Sequence, residues 1–327
     1  MSTQKPGIGF VGLGRMGATM ASNLVAAGYP IVGFVRRPEQ VEALARLGIQ
    51  GVTGMNPILD CDIVVTMLPD DKAVREVVFG GKEPGLAAGL APGAIHLSMS
   101  TISPHCAGEL AAEHGRRSQG YVAAPVLGNP DAARARQLFV LAAGAAADIE
   151  RCRPLFDCLG QRTFVIGADP GGANFVKLAS NAMSGATAEI LGEVMALARK
   201  RGSDPAQLLS ILTQTMFAGR AVSLYGEKIA AQHYAPGGFT FPLGLKDIKL
   251  ALAEAEAVAV PMPTLDVVRD RLIAGIEHGY AGLDLSALGL VAADAAGLDT
   301  PNEPIAGPAW PGDRTFRLNG IGARKEG

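Results

Sequence analysis

Excess charge is missing from this chain. Its 327 residues carry 29 Lys and Arg against 31 Asp and Glu, a formal net of −2. Such a balance gives no reason to expect nucleic acid or an anionic membrane as a partner. Long apolar runs are missing too: no uninterrupted stretch reaches the roughly 18 residues that suggest a transmembrane helix. The opening MSTQKPGIGFVGLG runs straight into a strand pattern without the apolar core of a signal peptide, so a cytoplasmic location is expected. Cysteine is scarce: Cys61, Cys106, Cys152 and Cys158 are scattered, form no CxxC pair and read as reduced thiols. The 5 histidines show no HExxH or similar spacing, and His105 beside Cys106 would not share a helical face with it. No metal is expected.

What is present is alanine, glycine and a change of rhythm. The length suits two domains of ordinary size. Short apolar runs alternate with helical patterns through the first half, as a parallel α/β sheet requires. Strands are expected at Ile8–Val11, Ile31–Val35, Ile63–Met67, Ala94–Leu97, Gly120–Val122, Leu138–Ala142 and Thr163–Ile166. Helices are expected at Met16–Ala27, at Pro38–Leu47 and after Ser103–Pro104 through Glu109 and His114. From Gly171 the period becomes that of long amphipathic helices, broken at Arg201–Pro205 and Ala235–Gly238. The expected fold is therefore α/β, a Rossmann-type doubly wound sheet over 1–168 followed by an all-helical domain over 169–298. A tail over 299–327, with Pro301, Pro304, Pro308, Pro311, Trp310 and a basic end, has a composition that buries little. Apolar faces around Ile190–Leu191, Val194, Leu197 and the helices between Leu265 and Leu290 exceed what one chain covers, so a homodimer or homotetramer is expected.

Gly12-Leu13-Gly14-Arg15-Met16-Gly17 follows a strand and opens a helix, the setting in which GxGxxG reads as a dinucleotide turn. Gly12 would make the tight turn, Gly14 would let the backbone approach a pyrophosphate, and Gly17 would bring helix and sheet together. The phosphates would face free N–H groups at the positive end of the helix. At the end of the second strand, where an acid would hold the ribose hydroxyl of NAD, the chain reads Val35-Arg36-Arg37. Guanidinium forks suit a 2′-phosphate, so NADP(H) is favoured over NAD(H), the alternative being that Arg36 and Arg37 are solvated loop charges.

Lys177 and Asn181 lie four residues apart in GGANFVKLASNAM, hence on one helical face about a turn apart. Phe175, Leu178, Ala182 and Ala186 crowd their surroundings, where an ammonium and a carboxamide are costly to bury without partners. The pair reads either as a functional site or as a lysine reaching water beside a packing asparagine.

Four motifs in register decide the family that the chain resembles. They are GLGRMGATMASNL from Gly12 to Leu24, Met99-Ser100-Thr101-Ile102-Ser103-Pro104, the Gly171–Asn181 segment, and Leu245-Lys246-Asp247-Ile248-Lys249-Leu250-Ala251. With them the chain resembles the β-hydroxyacid dehydrogenases over nearly everything from Gly7 to Leu298. The resemblance implies a small-molecule substrate, with Lys177 as the catalytic general acid and base and Asn181 positioning it and the substrate. It implies that Ser100 borders the substrate, that Thr101 lines the nicotinamide side, that Lys246 reaches toward cofactor and substrate, and that Leu68 and Pro69 border the nucleotide. Two plainer readings stand beside these: Thr101 as the cap of the helix starting at Ser103, and Lys246–Asp247 as an exposed ion pair.

In one place the chain departs from the family. Members resembling 3-hydroxyisobutyrate dehydrogenase carry Ser-Gly-Gly after Ala-Pro-Val to hold the substrate carboxylate; here Leu127-Gly128-Asn129 follow Ala124-Pro125-Val126. Leucine offers no hydrogen bond, although the Gly128 backbone and the Asn129 amide still do. Losing one charge-assisted bond costs roughly 1.5–3 kcal/mol, enough to alter substrate preference while sparing hydride chemistry. The expected activity is NADP(H)-dependent interconversion of a small 3-hydroxy acid and its semialdehyde or keto acid. Two alternatives are an NADPH-dependent imine or ketone reductase and a non-catalytic dinucleotide-binding module, but relatives of both kinds tend to lack the lysine at position 177.

Overall fold

The computed structural model describes residues 5–81 and 84–298; the tail from Asp299, with Trp310, lies outside the described residues. Nine strands among these residues form one sheet: β1 (Ile8–Val11), β2 (Ile31–Phe34), β3 (Gln50–Val52), β4 (Ile63–Thr66), β5 (Ile95–Ser98), β6 (Gly120–Ala123), β7 (Val126–Leu127), β8 (Leu138–Gly144) and β9 (Gly160–Gly167). β1, β4 and β5 are buried at every position, as parallel strands covered on both faces must be. Strands β3-β2-β1-β4-β5-β6 are all parallel and stand in that order. The order reverses between β1 and β4, which opens a crevice beyond their carboxyl ends. Past β6 the sheet turns antiparallel: β8 pairs with β6 and β7 in that sense, and β9 runs parallel to β8.

Each expected strand is present within a few residues of its position. β3 and β7 were not anticipated, because three or two residues are too few to show a period. The Pro38–Leu47 helix is smaller than expected: a 3-10 turn over Pro38–Gln40 leads into Val41–Ala45.

A polar line threads the apolar core beneath β4 and β5. Thr66 Oγ1 meets His96 Nε2 at 2.9 Å, His96 Nδ1 meets His114 Nε2 at 2.9 Å, and His114 Nδ1 meets Gln119 Oε1 at 2.7 Å. Gln119 Nε2 donates to the carbonyls of Ala87 and Leu90, which fixes its Oε1 as an acceptor. His114 then donates through Nδ1, His96 donates to His114, and Thr66 donates to His96. The bond between the two rings needs a lone pair on His114 Nε2, so His114 is neutral in this line. Burial, reinforced for His96 by the neighbouring ring of His114, lowers both from the ordinary histidine value.

From Pro170 onward the described elements are helical. The first helix, Pro170–Lys200, has proline in its first turn and Asp169 at its cap, accepting from Gly171 N at 3.0 Å. Its 31 residues extend roughly 46 Å at 1.5 Å per residue. Leu178, Ala182, Ala188, Leu191 and Met195 join a core with Ile248, Leu265, Val268 and Leu272 from the Phe241–Ala257 and Pro263–Glu277 helices. The same helix also packs against β6 and β8, so its early turns lie where sheet and helices meet.

Candidate active site

The turn after β1 leaves an uncapped helix start among three glycines. Gly12 has φ +99, and a Cβ there would fall 2.3 Å from Met67 O; one at Gly17 would fall 2.0 Å from Gly12 O. Both glycines answer to the protein's own packing. Gly14 does not: its backbone is ordinary, and a Cβ on it would meet nothing within 4 Å. No packing within the described chain accounts for its bareness. The Arg15–Ala26 helix that starts there has no side-chain cap and no acid in its first turn, so its leading N–H groups are free for phosphate. The residues present fit a dinucleotide. Leu13 and Met16 pack inward on the core, so they offer the turn backbone rather than side chains. Beyond β2, Val35 is buried while Arg36 and Arg37 are exposed; Arg37 has a loose pairing with Glu39 at 3.8 Å.

Leu68 and exposed Pro69 follow β4 at the mouth of the crevice. Leu68 N donates to Ser100 Oγ at 2.8 Å, and that hydroxyl donates to Thr66 O at 3.3 Å. Ser100 is fully buried. Its hydroxyl braces the edge that carries Leu68. Thr101 is not the helix cap: Ser103 Oγ accepts from Cys106 N at 3.0 Å in that role.

Lys177 stands at the other wall. Its Nζ donates to Asn181 Oδ1 at 3.1 Å, and Asn181 Nδ2 donates to Asp247 Oδ2 at 2.5 Å. Lys246 Nζ lies 2.7 Å from Asp247 Oδ1, an ionic contact rather than an aligned hydrogen bond, and donates to Thr101 O at 2.7 Å. A continuous polar line therefore runs Lys177–Asn181–Asp247–Lys246–Thr101 from the long helix to the sheet edge. Lys246–Asp247 is not an exposed pair, since Asp247 is only 3% exposed. Burial lowers the Lys177 amine to about 8; Asp247 pulls it upward and Lys246 pushes it down further. Lysine and its neutral form are both accessible near neutral pH, as proton transfer requires.

Two residues of the site escaped sequence reasoning. Asp247 was visible only as half of an ion pair, and no local pattern signals its burial against a helix 66 residues away. Asn174, one turn before Lys177, accepts from Ile102 N at 3.2 Å through Oδ1 and ties the long helix to the residue after Thr101. Leu127, Gly128 and Asn129, where the resemblance implied a substrate-carboxylate loop, are held differently from one another. Leu127 ends β7 and is partly buried against the cluster containing Ile102 and Ala173. Gly128 is exposed with φ +139, and Asn129 Oδ1 caps the Pro130–Arg134 helix through Ala132 N at 2.9 Å, which leaves its Nδ2 as the side-chain donor.

Comparison with known proteins agrees with the fold. Residues 7–167 match the family model described as the NAD binding domain of 6-phosphogluconate dehydrogenase. Residues 171–299 match that described as NAD-binding of NADP-dependent 3-hydroxyisobutyrate dehydrogenase. The chain is similar to the uncharacterized oxidoreductase YfjR of Bacillus subtilis, 39% identical over 86% of this chain and 98% of the relative. It is also similar to 3-hydroxyisobutyrate dehydrogenase of Pseudomonas aeruginosa, 32% identical over 86% of this chain and 96% of the relative. A solved 3-hydroxyisobutyrate dehydrogenase of Mycobacterium tuberculosis with L-serine superposes with a TM-score of 0.79 at 27% identity, over 87% of this chain and 98% of that one.

Proposed function

The chain belongs to the β-hydroxyacid dehydrogenase family and is an NAD(P)-dependent oxidoreductase, and from that premise we propose that it interconverts a small 3-hydroxy acid with its semialdehyde or keto acid, with NADP(H) as the dinucleotide. The observation that carries this reading is the Lys177–Asn181–Asp247–Lys246–Thr101 line, which puts an amine of pKa about 8 between the long helix and the sheet edge. When bound, the nicotinamide supplies the acceptor of hydride in oxidation and its donor in reduction. Lys177 handles the proton. In oxidation its neutral amine takes the proton of the substrate hydroxyl; in reduction its ammonium returns one to the oxygen. Asn181 holds the amine in place through its carbonyl, so the lone pair keeps one direction. Lys246, fastened to Thr101 O, keeps the two walls together and helps exclude water.

Support for NADP(H) comes from the exposed guanidinium pair after β2 and the apolar residue where an acid would stand. Replacing Arg36 and Arg37 with Ala is expected to weaken NADPH at least tenfold and leave NADH nearly unchanged, measured as KM for each dinucleotide. Equal losses for both would remove the preference.

The experiment that tests the chemistry is a spectrophotometric screen of 3-hydroxy acids, semialdehydes, glyoxylate and cyclic imines with both dinucleotides, run on wild type and Lys177→Ala. General acid–base catalysis is worth roughly 10²–10⁴-fold, so the variant should lose that much turnover on the best substrate while still binding NADPH. Near-normal turnover in a folded variant would end the assignment. A second reading, reduction of a ketone or imine without a carboxylate, is favoured by the packed Leu127 and the capping Asn129 carbonyl. Its signature would be turnover of cyclic imines or neutral ketones above that of hydroxy acids.

A further inference from the structure

Arg15 occupies the first position of its helix, where the positive end of the dipole disfavours a cation and no acid in the first turn compensates. Among the described residues its guanidinium has neither a carboxylate partner nor a hydrogen bond. It crosses instead to the helical region and lies on Gly237: a Cβ there would fall 2.0 Å from Arg15 Nη1 and 2.8 Å from Cζ. Gly237 has φ +90, a conformation that favours glycine, and a Cβ there would displace the Arg15 guanidinium. Its loop is firmly held. Gly237 N donates to Gly282 O at 2.8 Å, Leu285 N donates to Phe239 O at 2.8 Å, and Pro236 and Thr240 bridge to Leu283 and Asp284. A fixed loop of the helical region thus stands against a cation that belongs to the phosphate turn.

We propose that Arg15 and Gly237 form a clasp on the phosphates of the dinucleotide, through which the helical region takes part in binding it. The inference rests on the dinucleotide reading of the Gly12–Gly17 turn. A guanidinium has a weakly hydrated face and a rim of donors. The bare Gly237 backbone receives the face, and the rim remains to meet phosphate oxygens above Gly14 in charge-assisted bonds. A phosphate between helix end and guanidinium also reverses the local electrostatics: each positive group then faces an anion instead of the other. Lysine would bring the charge without the flat face, and any side chain at position 237 would push the guanidinium off its seat.

A double-mutant cycle on NADPH affinity tests this, with dissociation constants read from the fluorescence of the bound dinucleotide. Arg15→Ala and Gly237→Ala are each expected to weaken binding roughly tenfold, the double variant no more than the weaker single, and Arg15→Lys nearly as much as Arg15→Ala. Gly279→Ala is the control for backbone strain, since Gly279 has φ +88 and nothing within 4 Å of its missing Cβ; it should bind like wild type. Additive losses, full affinity in Gly237→Ala, or full affinity in Arg15→Lys would each overturn the clasp while leaving the dinucleotide site standing. The Arg15→Lys arm decides even where Gly237→Ala does not fold. A wild-type chain that binds neither NADPH nor NADH overturns the dinucleotide reading and the clasp with it.

Discussion

Lys177 works between two charges that pull its proton in opposite directions. Burial brings the amine to about 8, Asp247 restrains that fall and Lys246 adds to it. In the proposed chemistry oxidation uses the free amine, so its rate should rise with pH and level off above about 8; reduction uses the ammonium and should fall over the same range. Asp247→Asn removes the charge that favours the ammonium, so the apparent pKa in both profiles should move below about 8. A profile unchanged in that variant would show that the carboxylate does not act on the amine. The four-residue spacing of Lys177 and Asn181 was enough to put them on one face, because a helix fixes that relation locally. The partner that completes them was not legible. Asp247 reads as a surface acid beside a lysine until the Phe241–Ala257 helix docks on the long helix and buries it.

Strand β5 and the Pro104–Arg116 helix carry a second, independent titration in the His96–His114 line. Both imidazoles are held below the ordinary value of 6.5 in the folded chain, whereas the unfolded chain binds protons from about pH 6.5 downward. The unfolded state therefore takes up more protons as pH falls, and stability present above pH 6.5 is lost below it. Two such groups give a slope of up to about 2.7 kcal/mol per pH unit. Glu189 opposes them. Burial against the Pro263–Glu277 helix pushes it up to about 7 despite Arg271 at 3.1 Å, so the folded chain gains its proton as pH drops from 7. Urea denaturation at pH 7.5, 6.5 and 5.5 should show a wild-type slope near that of one histidine and a steeper one in Glu189→Gln. Equal slopes would mean that the carboxylate is already paired and ionised. The strands bearing this line were readable as apolar runs, since their burial on both faces leaves no other pattern. His96 and His114 were not, because a histidine inside a strand or helix looks the same whether it faces water or a second imidazole.

The whole molecule leaves one face of its longest helix uncovered. Phe175, Met183, Ile190 and Leu197 are 56%, 70%, 53% and 59% exposed, and their spacings of eight, seven and seven residues keep them along one side. Lys177 and Asn181 point elsewhere, into the polar line. A helix that is apolar on both sides calls for cover on both. Ile211, Phe217, Val258 and Val260 are also more than half exposed in the same region, whereas a lone chain keeps such patches small. Cover by a second copy is the simplest closure, since a two-fold axis lays the same stripe against itself and a stable interface needs only about 800 Å² from each partner. Light scattering on the eluting peak should therefore give a dimer or tetramer for wild type. Met183→Glu with Ile190→Glu should give monomers, because two like charges on each copy would meet across the axis without compensation. The Lys177–Asp247 line lies on the opposite face, so the monomer should keep the pH profile proposed for Lys177 while losing thermal stability. A wild-type chain that elutes as a monomer at micromolar concentration would leave the stripe without its partner and defeat the assignment.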